Sequence, residues 1–367
     1  MTKITYSQTG DNYETKDPIK KLIQQEAQKT GKNLHQHGFE EIKDTRGESA
    51  FVWKQGRIYM ASVVEGLGTK NLIADSMYEL TGKSYYDVIA HDTVATIIND
   101  LVTVGATPLV VHAYWAIEDN TWLYDAKRMS DFVRGWSNAC TISGATWGGG
   151  ETATMKQVLL PGVAELAGSA IGIINAKNRL ITDKNLRVGD KIILIKSNGV
   201  NANGISLTRA IAKKLPNGYA TKLSKEKTYG DSLLRKSNIY AKVVKDTLDA
   251  GISIHYISNI TGHGLRKIMR AKKEVTYRIE TIFKPQEVFS FIQKHAGLTD
   301  REMYETYNMG MDYALFVAQK DVINTLRIIK KNGFQALDAG IVEKGPRQVV
   351  IEPLHIVFKS ESLNLRT

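Results

Sequence analysis

The sequence predicts a mixed fold of the α+β (mixed α/β) class in two domains, and three observations carry that prediction. The chain has 367 residues, more than one ordinary core accommodates at roughly 150 residues per domain. Its 43% hydrophobic and 24% charged residues are close to globular averages, which argues against disorder and low-complexity architectures. Short β-branched runs and segments of helical periodicity are mixed from one end to the other, with no fixed-period repeat.

Taken in order, Asp17-Pro18 reads as an N-cap followed by proline at the first helical position, opening a helix that runs to Lys29. Residues 57–64 read as a strand entering a glycine-rich turn, and 69–80 as the helix that follows. Residues 87–104 and 125–143 are two further helices, and 158–174 are one or two strands. A strand at 192–195 enters a second glycine turn, followed by helices at 203–214 and 231–250. A strand at 275–279, a helix from Pro285 to His295, a strand at 313–317 and a helix at 321–331 closed by Asn332-Gly333 come next. Short strands at 340–342 and 349–351 end the pattern. The polar run 175–184 and the turn Arg187-Val188-Gly189 separate two apolar stretches, which divides the chain into domains 1–172 and 173–367.

Several function classes lose their supports. The most apolar region, 101–117, is interrupted by Thr103, Pro108 and His112, so no membrane partner is expected. The first residues show no apolar signal core, and a cytoplasmic location is the expectation. A lone cysteine, Cys140, makes neither an internal disulfide nor a thiolate metal site. The net charge is +11, and residues 209–245 hold ten Lys/Arg against two acids, Glu226 and Asp231. That segment has no series of stacking aromatics and no zinc-finger or basic-zipper spacing, so no nucleic-acid partner is expected. It reads as a solvated face or as a rim attracting a phosphorylated ligand.

Four segments can carry chemistry. Glu65-Gly66-Leu67-Gly68-Thr69-Lys70 lies where a strand gives way to a helix. Glycines let backbone N–H groups approach a phosphate, a lysine adds charge, and a carboxylate is a hard ligand for Mg²⁺. The spacing is not that of a P-loop, and an ordinary strand-to-helix turn fits it as well. In the next helix Asp92, Thr96 and Asn99 share one face, flanked by Asp100. Such a stripe suits a metal or nucleotide, and equally an amphipathic surface helix. Gly148-Gly149-Gly150-Glu151 spends much backbone entropy, which points to a close approach to backbone or ligand; a flexible turn with an exposed acid is the alternative. The fourth, 197–204, again puts small residues and amides, including Asn201, Asn203 and Gly204, at a strand-to-helix junction. Motifs for zinc hydrolysis, serine hydrolysis and dinucleotide binding are missing. Acids, amides, a lysine and glycine turns fit Mg-nucleotide chemistry best.

In this order and register the segments resemble the aminoimidazole ribonucleotide synthetase (phosphoribosylformylglycinamidine cyclo-ligase) family along most of the chain. Tyr6 with Gly10-Asp11 resembles its Tyr…Gly-Val-Asp, and Glu65-Gly66-Leu67-Gly68-Thr69-Lys70 its Asp-Gly-Val-Gly-Thr-Lys. Asn99-Asp100-Leu101 with Gly105-Ala106 and Pro108-Leu109 is similar to its Asn-Asp-Leu…Gly-Ala-x-Pro-Leu. Residues 149–153 match its Gly-Gly-Glu-Thr-Ala, and Asn203-Gly204 with Ser206-Leu207 its Asn-Gly-x-Ser-Leu. Thr261-Gly262 with Gly264, and Met303-Tyr304 with Thr306 and 308–310, fit later motifs.

The resemblance implies ATP-dependent ring closure in purine biosynthesis. ATP phosphorylates the formyl oxygen of formylglycinamidine ribonucleotide, the amidine nitrogen attacks that carbon, and phosphate leaves as the imidazole closes. It implies a homodimer whose N-terminal sheets pair into a barrel, a small ribonucleotide substrate, ATP with Mg²⁺, and an open question over K⁺. Carried across residue by residue, Glu65, Asp100 and Glu151 are metal ligands. Lys70 neutralises the transferring phosphoryl group. Gly66, Gly68, Thr69, Asp92, Asn99, Gly149 and Gly150 surround the nucleotide, and Asn201, Asn203, Gly204 and Lys236 face the substrate.

The departures bear on substrate more than on ATP. Glu65 stands where the family has aspartate, and Asn201-Ala202-Asn203 where it has His-Ser-Asn. Lys236-Ser237-Asn238 stands for Pro-Thr-Arg, losing a bidentate arginine, and Gly38-Phe39-Glu40-Glu41 is charged where the family's flap is small and apolar. A related ATP-using enzyme with another acceptor, and a catalytically degenerate binding protein, are the alternatives. The expectation to test is that Glu65, Lys70, Asp100 and Glu151 converge in space.

Overall fold

The computed structural model describes residues 3–5, 7–10, 13–225, 227–363 and 365; Tyr6 and Asp11, which carry part of the N-terminal resemblance, lie outside the described residues. Helices α1 (Tyr13–Lys29) and α2 (Lys32–His35) precede a six-stranded sheet. Its strands are β1 (Glu40–Glu41), β2 (Phe51–Gln55), β3 (Ile58–Gly66), β4 (Thr107–Ile117), β5 (Thr146–Thr154) and β6 (Ala164–Ile174), in spatial order β1-β2-β3-β6-β4-β5. Between β3 and β4 lie α3 (Asn71–Thr81) and α4 (Tyr86–Leu101), and α5 (Ala126–Ser143) makes the crossover that sets β5 parallel to β4.

The second sheet has seven strands: β7 (Lys191–Lys196), β8 (Ile254–Asn259), β9 (Val275–Ile279), β10 (Met311–Val317), β11 (Ala336–Lys344), β12 (Gln348–Ile351) and β13 (Ile356–Lys359). Their order is β13-β12-β9-β11-β7-β10-β8, antiparallel except for β9 with β12. Helices α6 (Ile205–Lys214), α7 (Tyr229–Leu233) and α8 (Ala241–Asp249) lie between β7 and β8. Helices α9 (Glu287–Ala296) and α10 (Asp300–Thr306) come before β10, and α11 (Val322–Lys331) before β11.

The burial of β6 shows how the first sheet is used. Ala164, Leu166, Ala170 and Ile174 are buried, while Glu165, Ala167, Ser169, Ile171 and Ile173 between them are not. One face packs on α4, and the other carries no element of this chain among the described residues. Gly168 and Gly172 let the helix come close: a Cβ on Gly168 would stand 2.9 Å from Ile97 Cδ1. At the far side, Trp115, Trp122, Trp136, Trp147, Phe132 and Tyr86 form one aromatic cluster between the sheet, α4 and α5.

Three expected elements change. The first helix starts at Tyr13, so Pro18 lies inside it, where the ring removes one backbone bond near the helix start. Only 164–174 of the stretch 158–174 is strand. The helix expected at 231–250 is broken into α7 and α8 by 234–240, which contain neither glycine nor proline; the reason is tertiary and lies in the site described next.

Candidate functional site

The break at 234–240 docks on α4. His91 Nε2 lies 2.9 Å from the Ser237 carbonyl, and Ser237 N–H donates to Asp92 Oδ1 at 2.7 Å. Asn99 Nδ2 donates to the Asn238 carbonyl at 2.8 Å, and its Oδ1 accepts from Tyr240 N–H at 2.9 Å. The polar face predicted on this helix is real, and the structure commits it to the backbone of the C-terminal domain. Those bonds replace the helical ones that 234–240 forgo, and all the groups involved are paired away from water.

Lys70 belongs to the same arrangement. Its side chain is 0% exposed, as is that of Asp92, with Nζ 2.5 Å from Asp92 Oδ2 and 3.1 Å from the Arg235 carbonyl. In place of the phosphoryl contact expected of Lys70, the structure shows a buried ion pair between β3–α3 and α4. Asp92 and Asn99 are likewise spent on docking and do not line the interdomain cleft.

A cleft of about 640 Å³ lies between the two domains. Glu65, at the end of β3, and Asp100, at the end of α4, form its N-terminal wall. Asn203, Thr261, Gly262, His263, Lys267 and Arg270 form the C-terminal wall, and Lys20, Ile23 and Gln24 of α1 close one side. The Glu65 and Asp100 carboxyls share a hydrogen bond, and Asn259 Nδ2 donates to Asp100 Oδ1 at 2.7 Å. Burial pushes the Glu65 carboxyl up to about 7, Asp100 adds repulsion, and Lys267 opposes both. Burial pulls the Lys267 ammonium down to about 8, with Arg270 acting the same way and the two carboxyls opposing. His263 holds a left-handed backbone, φ 72°, with Nε2 3.2 Å from Asp17 Oδ2 of α1; burial lowers its ring to about 4.

Glu151 does not join Glu65 and Asp100 within one chain. Across the sheet Glu65 registers with Gly168, Gly168 with Ala113 and Ala113 with Gly150, three strand spacings or roughly 14 Å. Glu151 is in the next row, with Gly66, Ala167 and Tyr114, and by the two-residue alternation it points to the opposite face. Gly149 and Gly150 lie on the exposed edge strand β5. A Cβ on Gly150 would stand 2.1 Å from the Ala113 carbonyl oxygen, so the close approach read from the glycine run is to a neighbouring strand.

The other expected site residues are spread more widely. Gly66, Gly68 and Thr69 follow Glu65 directly, and Gly68, with φ 71°, has nothing within 4 Å of where a Cβ would stand. Asn203 reaches the cleft, its Oδ1 accepting from Gly262 N–H at 3.0 Å. Gly204 caps α6 with φ 71° against the Tyr307 ring. Asn201, φ 59°, donates to Asp312 Oδ2 at 2.8 Å, and Lys236 pairs with Asp87 at 2.9 Å. Sequence reasoning missed Lys267, Arg270 and His263. The available signal was two basic residues and a histidine set among the apolar Ile260, Leu265, Ile268 and Met269, where a solvated turn has no reason to place them.

The donor set fits Mg²⁺. Two carboxylates crowded enough to share a proton offer hard oxygens, and Mg²⁺ is held by one or two such groups with phosphate oxygens and water completing the shell. Among the described residues no group of three or more His, Cys, Asp or Glu side chains forms an all-protein cage. The ion would therefore depend on a ligand for the rest of its coordination.

The molecule is thus two α+β domains docked through one buried helix, with a carboxylate pair facing a buried lysine across the cleft between them. The family profile "AIR synthase related protein, N-terminal domain" matches residues 47–174, and "AIR synthase related protein, C-terminal domain" matches 187–352. The chain belongs to the AIR synthase related protein family and is an enzyme. It is 33% identical over 298 residues to a phosphoribosylformylglycinamidine cyclo-ligase of Carboxydothermus hydrogenoformans, covering 80% of this chain and 83% of that one. It is 30% identical to one of Methanothermobacter thermautotrophicus, covering 77% and 80%. In fold it is similar to a chain of the HypE–HypF complex, TM-score 0.61 at 17% identity over 85% of this chain and 92% of that one. It is also similar to T. maritima PurL complexed with ADP, TM-score 0.56 at 14% identity over 86% and 46%. Among the described residues no helix is long and apolar enough to cross a membrane.

Proposed function

We propose that this protein is a cytoplasmic homodimer that converts formylglycinamidine ribonucleotide to aminoimidazole ribonucleotide in purine biosynthesis, at the expense of ATP. The observation that carries this reading is the opposition of Glu65 and Asp100 to Lys267 across the interdomain cleft, in a chain whose curated relatives bear the cyclo-ligase name. Glu65 and Asp100 would hold a divalent cation, which would supply charge neutralisation for the phosphates, and the cleft wall at 261–263 and Asn203 orients the substrate. The formyl oxygen takes the γ-phosphoryl group and ADP is released. The amidine nitrogen then bonds to the formyl carbon, and the carbon–oxygen bond breaks to release phosphate.

The dimer is supported by the open face of the six-stranded sheet. Val64 is 76% exposed there, with Leu109 and Tyr114 also exposed and Ala167, Ile171 and Ile173 half-buried. A second copy laid on that face closes the two sheets against each other and covers Glu151. Glu151 reaches a bound triphosphate, on this reading, only from the partner copy.

The test is direct. Purified protein with Mg²⁺ and K⁺ should release ADP and phosphate only when formylglycinamidine ribonucleotide is supplied. Absence of the imidazole product under those conditions overturns the proposal. Asn201 and Lys236, which depart from the family and are held by Asp312 and Asp87, support a second reading with a different small acceptor. A panel of acceptors in the same ADP-release assay separates the two.

A further inference from the structure

We propose that Lys267, and not Lys70, is the cation that contacts phosphoryl oxygens in the cleft. The inference rests on the nucleotide reading above and deepens it. Lys267 lies on the turn after β8, on the C-terminal wall, opposite Glu65 and Asp100. It is 8% exposed, yet its Nζ makes a single hydrogen bond among the described residues, to Thr261 Oγ1 at 2.5 Å. No carboxylate oxygen of those residues stands within 4.0 Å of it.

An ammonium has three donors, and burying one costs several kcal/mol unless partners replace water. Two donors of Lys267 therefore face the cleft, and a group with several acceptor oxygens satisfies both. The neighbouring cation is not available for that work. Arg270 Nε and Nη2 donate to the Gly47 carbonyl at 3.1 and 2.8 Å, and Nη1 donates to Ser49 Oγ at 2.9 Å. Arg270 holds the 47–49 turn against the C-terminal domain and adds positive potential without reaching outward. The Glu65–Asp100 pair repels a bare phosphate and attracts one carrying Mg²⁺. The cleft is thus complementary to a metal-bound phosphoryl group: cation on the acidic wall, oxygens on Lys267. Lys70 has neither the exposure nor a spare direction, since its ammonium faces Asp92 and a carbonyl inside the protein.

Two sources share this chemistry, the polyphosphate of a nucleotide and the phosphate ester of a ribonucleotide. Calorimetric titration of the full-length protein with ADP in Mg²⁺, and separately with ribose 5-phosphate, distinguishes them. Lys267→Met should weaken one of the two by about ten- to a hundredfold, the loss expected for a charge-assisted hydrogen bond at a dry site. The ligand that weakens identifies the source. Thr261→Val keeps every charge and removes only the acceptor that places Nζ, so it should weaken the same ligand severalfold with an unchanged melting curve. Wild-type affinity for both ligands in Lys267→Met overturns the inference and leaves the nucleotide reading intact. If Lys267→Met does not fold, wild-type affinities in Thr261→Val overturn it instead. Wild-type protein that binds neither ligand overturns the nucleotide reading, and the inference with it.

Discussion

Replacing Lys70 by alanine separates a structural lysine from a ligand-binding one. In the wild type its ammonium is fully buried and shared between Asp92 Oδ2 and the Arg235 carbonyl. Alanine leaves the Asp92 carboxylate buried with the Ser237 N–H as its remaining protein donor. Breaking a buried pair from one side costs about 3–5 kcal/mol, mostly the desolvation of the charge left behind. For a domain of this size that is a fall of roughly 10 °C in melting temperature. Adding Asp92→Asn removes the orphaned charge while its Oδ1 still accepts from Ser237. The double variant Lys70→Ala/Asp92→Asn should therefore recover most of the loss. Urea midpoints of the four members of the cycle measure the coupling, and ADP titration at temperatures where each is folded measures binding. A Lys70→Ala protein with an unchanged midpoint and abolished ADP binding would refute this reasoning.

Other expectations follow from the same geometry. Val64→Arg places a charge on the open sheet face, so sedimentation should show dimer giving way to monomer while the far-UV spectrum is kept. Gly204→Ala, with φ 71° and a Cβ 2.2 Å from Tyr307 Cε1, should destabilise by about 1–3 kcal/mol in urea. His263 is neutral in the fold down to about pH 4, while in the unfolded chain it takes a proton near 6.5. The unfolded state then binds more protons between those values, so stability falls as pH is lowered through that window, by about 2 kcal/mol at pH 5. His263→Asn suits the left-handed backbone and does not titrate; urea midpoints of that variant should lose this part of the acid slope.

How far the molecule was legible varies with the cause of each feature. The strand at 275–279 was readable to the residue, because alternation and β-branching act locally. The start of α5 was readable to within one residue: Asp125, expected as its first helical residue, is the N-cap and accepts from Arg128 N–H. The polar face of α4 was legible as a face, but its role was not. Whether Asp92 and Asn99 meet a nucleotide or a backbone depends on a segment about 140 residues away. The break at 234–240 has no local signal, since its cause is that distant helix. Glu65 and Asp100 were grouped by the family resemblance, and in the fold each ends an element at one cleft. Glu151 was grouped with them through the resemblance of 149–153 to the family's Gly-Gly-Glu-Thr-Ala, which says nothing of which face of a sheet it occupies, and the two-residue period of the sheet puts it on the other side.

The docking of 235–240 on α4 also bears on the cleft. Four hydrogen bonds, and a fifth from the buried Lys70 ammonium to the Arg235 carbonyl, join the halves of the molecule along its interior. Swinging them apart like a hinge would expose those groups to solvent, which sets an energetic cost on opening the gap. Across the opening lies α1, tied down by Asp17 on His263 and by Gln24 on the Leu365 carbonyl. The mouth of the cleft is thus bordered by a helix from the beginning of the fold, while its floor is the docked interior.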